Sequence, residues 1–237
     1  MCGRFALHRA AASLLEQFEA QAGPGLGDWQ PSCNIPPGQP ILNIYRDAEG
    51  VRRLGAMRWG LVPVFAPTAA GVEIQGRARA PINARAESVA RSPLFRNALR
   101  RRRTLVPADA WYEWRAAPQG KQPYAVRPAG EASFAFAGLF DDHPEAGRSC
   151  AIITAPAAPS VAFIHPRMPV VLPPEAWARW LDRELTDAAE LTGLLRPYPG
   201  ELAAWPVSRA VNRPANDSPQ LLEPVARSEE DRHGPRP

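Results

Sequence analysis

Twenty-eight prolines spread over 237 residues leave this chain little room for long helices or broad flat sheets. Proline averages ~5% of globular sequences. Each one fixes φ and removes a backbone donor, so it ends helices and is tolerated in sheets mainly at edges and bulges. Many short elements with irregular connections are therefore expected. Apolar, β-branched and aromatic runs predict strands at Ile41–Arg46, Leu54–Trp59, Pro123–Arg127, Ser133–Phe140, Ser149–Thr154 and Met168–Leu172. Ser92 followed by Pro93 reads as N-cap and first helical position of a helix through Arg102. Arg9–Ala20 carries Leu14, Leu15 and Phe18 at amphipathic spacing. Pro174–Arg183 and Thr186–Leu195 read as two further helices, and Gly23–Gly27 and Ala66–Gly76 as loops. The polar last dozen residues, 226–237, lack the apolar content to order themselves. With no internal repeat, the pattern predicts one α+β domain over residues 1–225, built on a bent, predominantly antiparallel sheet with peripheral helices.

Hydrophobic residues make up 45% of the chain and charged residues 22%, the balance of a soluble globular protein with a substantial core. No window approaches the ~20 apolar residues of a membrane span. The opening Met1-Cys2-Gly3-Arg4-Phe5 lacks the apolar run of a signal peptide, so a cytoplasmic location is expected. Cys2, Cys33 and Cys150 form neither an even disulfide framework nor a close pair for zinc, and reduced thiols are expected.

The net charge is +4, and Lys121 is the only lysine. Nine arginines fall between Arg77 and Arg103, against one acid, Glu87. Such a concentration is the footprint of a phosphate-binding surface. A solvated helix face over Arg100 to Arg103 explains part of it equally well, as does a compositional bias shared with the abundant alanine.

Cys2 is the most unusual reactive residue. Removal of Met1 would leave a terminal cysteine whose α-amine, of pKa ~7.7–8.0, sits beside a thiol of pKa ~8.5. The amine can form an imine with an aldehyde, and the thiol, two carbons away, can close a thiazolidine ring on it. An internal cysteine cannot do this, because its nitrogen is an amide. The competing reading makes Cys2 a small apolar residue of a first strand. Glu113, within Trp111-Tyr112-Glu113-Trp114, is a carboxylate among aromatics, where desolvation raises its pKa and suits it to proton exchange near neutrality. Its alternative is a strand-end glutamate with an exposed tip. In an extended Asn83-Ala84-Arg85, the amide and the guanidinium share a face. His165 and Arg167 repeat that spacing, as do Cys2 and Arg4. Trp59 and Phe65 are candidates to stack on bases, with a core position the competing reading for Trp59.

These segments, in this order, resemble the SOS response-associated peptidase family, whose members shield abasic sites in single-stranded DNA. The resemblance runs from Met1 to about Pro224. It is carried by Met1-Cys2-Gly3-Arg4-Phe5, Asn34 with Pro37, Arg58-Trp59-Gly60-Leu61, Asn83-Ala84-Arg85 with Glu87, and Val106-Pro107-Ala108-Asp109 leading to Glu113-Trp114. It continues through Lys121-Gln122-Pro123-Tyr124, Ala137-Gly138-Leu139, Ile152-Ile153-Thr154, His165 with Arg167 and Pro169, and Pro206-Val207-Ser208. It implies a compact α+β domain with a bent sheet or open barrel. It further implies that Cys2 forms a DNA–protein crosslink, Asn83 positions the sugar, Glu113 assists imine formation and His165 transfers protons. Arg4, Arg85 and Arg167 would hold phosphates. Trp114 would line the site, and Asn34, Trp59 and Phe65 would join the DNA-contacting set. The implied partner is abasic single-stranded DNA, bound by a monomer without metal or organic cofactor.

Phe65 stands where tryptophan is usual in the family, Ala110 where glycine is frequent, and Cys33 where tyrosine is frequent. Pro166 replaces an acidic or amide residue beside His165. Two other functions compete: a thiol peptidase using Cys2, His165 and Glu113, and a non-covalent binder of single-stranded nucleic acid.

Overall fold

The computed structural model describes residues 2–67, 72–74, 77–118, 120–130 and 132–225, with backbone alone for 72–74 and 77–79. The tail from 226 to 237 and the side chains of Arg77 and Arg79 lie outside the described residues.

Two sheets carry the fold. In one, pairing runs full circle: Gly147–Pro156, Phe134–His143, Arg103–Ala108, Pro40–Arg46 and Arg52–Trp59 pair in turn, all antiparallel. The ring closes through a parallel contact that sets Ser149 and Cys150 opposite Arg58 and Trp59. This barrel answers the edge-strand problem by leaving few unpaired edges. Its thinnest seam has one ladder pair, Ile44 with Leu105, and side chains stitch it. Thr104 Oγ1 donates to Ile44 O at 2.8 Å and also reaches Asn43 Oδ1 at 3.2 Å. Gly138 lets the strands close up, since a Cβ there would sit 2.9 Å from the Thr104 methyl.

The second sheet is five-stranded and antiparallel, in the order Leu202–Pro206, Gly120–Pro128, Ala110–Ala117, Phe5–Leu7, Ser32–Ile35. Its central hairpin places Trp111, Glu113 and Arg115 on one face and Tyr112 and Trp114 on the other, as the period of two requires. The first face meets the barrel: Trp111 stacks edge-on with Phe134 and Phe136, and Phe5 with Trp59 and Phe136. The second face packs Tyr112 with Ala6, Ala125, Val207 and Val211 in a smaller cluster. The fold is thus a compact α+β domain, mostly sheet, with a barrel closed further than the expected bent sheet.

The helices are short and peripheral. Ala11–Gln17 and Arg96–Arg101 are trimmed relative to expectation. Ser92 does not cap the second one: it accepts backbone bonds from Phe95 and Arg96 through its carbonyl, and turns at 86–91 and 93–95 flank it. Pro174–Trp180 does begin with proline, and Asp187 caps Ala188–Gly193 by accepting from Glu190 N. Within the stretch read as a loop from Ala66 to Gly76, Val72–Ile74 pairs with Arg77–Arg79. Among the described residues no helix is long and apolar enough to cross a membrane.

Candidate active site and nucleic-acid interface

The site forms where the first strand runs out. Phe5 and Ala6 pair with Trp111 and Ala110, and Tyr112 N donates to Arg4 O at 3.0 Å. Beyond Tyr112 no described strand covers that edge of Ala110–Ala117, and the start of the chain occupies the gap. The register is clamped by buried Asp109. Its backbone N–H donates to Ala6 O, and its carboxylate accepts from His8 N and from Ser133 Oγ.

Cys2 is fully buried. Burial pushes its thiol well above the ordinary range, the negative charge of Glu113 pushes it further, and the Arg4 backbone N–H opposes both. A neutral thiol rather than a thiolate is therefore the resident species. Asn83, on a short strand parallel to Gly147–Pro156, donates from Nδ2 to Cys2 O at 2.7 Å. Its Oδ1 is buried and accepts no hydrogen bond among the described residues. A buried acceptor in that position favours a ligand or terminus that brings an N–H or O–H to it.

Glu113 is 4% exposed. Burial raises its carboxyl from 4.5 to about 7, so it holds and releases a proton near neutrality. With Val126, Val161, Ile164 and Met168, beside Trp111, His165 and Arg167, it lines a small cavity. His165 lies beside it. Its Nδ1 sits 3.0 Å from Arg167 N and 3.1 Å from Arg167 O. Residue 167 thus supports either ring tautomer, and Nε2 changes from donor to acceptor as the tautomer changes. Burial lowers the His165 pKa, as do the charges of Lys121 and Arg167, against the Arg167 backbone bond. Glu113, Trp114, Lys121, His165 and Asn212 line an open cleft of about 470 Å³. A larger groove of about 760 Å³ lies elsewhere, where Arg46, Arg101, Arg179 and Arg183 are offset by Glu49, Asp182 and Glu184; it holds none of these groups.

Several expected DNA contacts are placed differently. Trp59 is fully buried, with Nε1 donating to Ile82 O, and belongs to the core. Asn34 is 1% exposed. Its Nδ2 is shared among the carbonyls of Val211, Arg213 and Asn216, and its Oδ1 accepts from Arg4 NH1. It fastens the 211–216 loop. Arg4 also donates to Val211 O, so it braces that loop rather than reaching outward. Arg167 grips Glu87 through both carboxylate oxygens, at 2.7 and 3.0 Å, and donates to Thr154 O. A phosphate would have to displace Glu87 from it. Arg85 is exposed. Phe65 is 54% exposed on a turn and does not line the cleft. Trp114 lines it and donates from Nε1 to Asn212 Oδ1 at 2.7 Å.

The arginine run divides. Arg91, Arg96, Arg100 and Arg101 are exposed, but Arg102 pairs with Asp141. Buried Arg103 donates to the carbonyls of Leu99, Arg100, Trp180 and Asp182. It caps the C-terminal ends of two helices, where the helix dipole favours a cation. Sequence reasoning did not assign Asn212, whose place beside Trp114 has no local signal, nor Asp109, quoted only as part of a motif. Lys121 had a signal, being the one lysine.

A closed barrel flanked by a second sheet, with Cys2, Asn83, Glu113 and His165 brought together beside it, defines the class of this chain. Residues 1–214 match the family model described as SOS response associated peptidase (SRAP), and the chain belongs to that family. It is 40% identical to the abasic site processing protein YoqW of Bacillus subtilis, over 94% of this chain and 99% of that one. It is 33% identical to abasic site processing protein HMCES of Gallus gallus, over 95% of this chain and 78% of that one. A crystal structure of a Bacteroides thetaiotaomicron protein shares the fold, with a TM-score of 0.82 at 21% identity over 95% of this chain and all of that one.

Proposed function

We propose that the chain processes abasic sites in single-stranded DNA, capturing the lesion covalently through Cys2 once Met1 is removed. What carries this reading is the placement of Cys2 between the Asn83 amide, 2.7 Å from its carbonyl, and a Glu113 carboxyl raised to about 7. The names of the YoqW and HMCES relatives support the substrate class. The ring-opened abasic sugar presents an aldehyde at C1′. The α-amine of Cys2 adds to it, giving a carbinolamine, and Glu113 donates the proton with which hydroxide leaves as water. The thiol then adds to the imine carbon, its proton passes to the imine nitrogen, and a thiazolidine results with no atom lost beyond that water. Asn83 Oδ1 accepts from the amine or from a sugar hydroxyl, and His165 relays protons to the cleft.

A peptidase would use the Cys2 thiol alone and gain little from placing it at the chain terminus. The test is a denaturing gel of Met1-free protein with a single-stranded oligonucleotide bearing one abasic site, beside undamaged strand and Cys2→Ala protein. A heat-stable shifted band is expected only with lesion and Cys2 together. No band from correctly processed protein overturns the mechanism, and a reversible, salt-sensitive shift alone would establish non-covalent binding instead.

A further inference from the structure

The loop that precedes His165 carries a large ring that the chemistry above does not use. Phe163 is 46% exposed, although Val161 and Ile164 on either side of it are buried against Glu113. It is not left loose. Its ring meets Tyr124 edge-on, with centroids 5.7 Å apart and planes at 89°, and the Arg115 guanidinium carbon lies 5.7 Å from its centroid.

These partners come from the catalytic hairpin. Tyr124 is the direct cross-strand partner of Glu113, and Arg115 follows Glu113 by two residues. Glu113, Arg115 and Tyr124 therefore share one face of the sheet, and Phe163 lies on that face, two residues before His165. An exposed ring buttressed by a second ring, with a cation over it, offers a π-face and a positive charge together. A base of single-stranded nucleic acid with its phosphate is the ligand that uses both. An apolar peptide side chain would gain nothing from the guanidinium, and the chain's net charge of +4 also favours a polyanion.

We propose that Phe163 and Arg115 form a subsite for the nucleotide adjoining the lesion, the base stacking on Phe163 and its phosphate meeting Arg115. The subsite rests on the reading that the abasic sugar occupies the Glu113–His165 cleft. It would hold the intact neighbour while the damaged residue, lacking a base, reaches inward.

The test uses Met1-free protein and labelled oligonucleotides with a tetrahydrofuran lesion, which has no aldehyde and so reports binding alone. Stacking on an aromatic residue is worth ~1–3 kcal/mol per base, so Phe163→Ser should weaken binding about 5-fold to 150-fold. Phe163→Trp should restore it. The same comparison is run on a strand whose bases next to the lesion are also absent. There the wild type and Phe163→Ser should bind alike, because the base that stacks is gone. Equal binding of the two proteins to the first strand overturns the subsite, as does a loss that persists on the second. Crosslinking of aldehyde-bearing strand by the wild-type protein is scored separately. Its failure would reject the capture mechanism without touching the stacking result.

Discussion

Replacing Glu113 with glutamine should make the folded protein more stable and the chemistry slower. Glu113 is almost sealed from water, and burial raises its carboxyl from 4.5 to about 7. A carboxyl raised in the fold stabilises the fold in its protonated form. That contribution is complete below the unfolded value and is lost as pH rises through the folded one. Between those limits the unfolded chain ionises while the folded chain does not, and above about pH 7 ionised Glu113 costs about 3 kcal/mol relative to the unfolded chain. Between about pH 5 and pH 8, the cost grows by about 2–3 kcal/mol. Glutamine never ionises, so its stability relative to wild type should improve by that amount across the same interval. Taking the difference between two pH values cancels whatever the amide gains or loses by hydrogen bonding at all pH. Urea unfolding of both proteins at each pH measures it. The same variant should form adduct about 100-fold more slowly or worse, the usual weight of a general acid. An E113Q advantage that does not grow with pH would refute the argument that burial holds this carboxyl uncharged. Unchanged adduct kinetics would remove Glu113 from the mechanism.

Asn83→Ala deletes the 2.7 Å bond to Cys2 O and should slow adduct formation about 10-fold, the weight of a positioning bond of ~1.4 kcal/mol, with affinity for intact strand unchanged by anisotropy. Lys121→Gln removes the only cation lining the cleft among the described residues. The slope of log affinity against log salt should fall by about 0.7, and the imidazole of His165, whose pKa that charge lowers, should titrate at higher pH by NMR. Arg103→Met leaves four helix-end carbonyls without their donor and should cost about 3 kcal/mol in urea unfolding, leaving adduct chemistry intact in the protein that remains folded.

Much of the fold was legible because strand patterning is local. Ile41–Arg46 became Pro40–Arg46, Leu54–Trp59 became Arg52–Trp59, and Ser149–Thr154 became Gly147–Pro156. Met168–Leu172 splits into Arg167–Pro169 and Val171–Leu172, with Val170 instead bonding to Ile153 and Ala137 through its backbone. Arg103–Ala108 was harder to see, because a single residue separates it from a helix and it holds Pro107 opposite Ala135. Ala110–Ala117 was read for its chemistry rather than its pairing. Barrel closure was not legible, since it rests on two parallel pairs between distant strands. In the site, local spacing put Asn83 and Arg85 on one strand but could not tell which arginines are committed. That depends on acceptors far along the chain: Glu87 for Arg167, and Val211 for Arg4. Asn34 and Trp59 look from sequence like any polar or aromatic contact, and only long-range packing buries them.

The knot at Asn34 has a consequence for how the protein comes to be made. Asn216, one of its acceptors, lies 182 residues further along the chain. At a synthesis rate of roughly 5–20 residues per second, that separation is about ten to forty seconds. Throughout that interval the first residues exist while the segment that braces Arg4 has not been made. Any enzyme that trims Met1 has this interval in which to reach a terminus that the finished fold buries at Cys2. The strand start at Cys2 and Arg4 is thus made early and enclosed late, when the last quarter of the chain arrives.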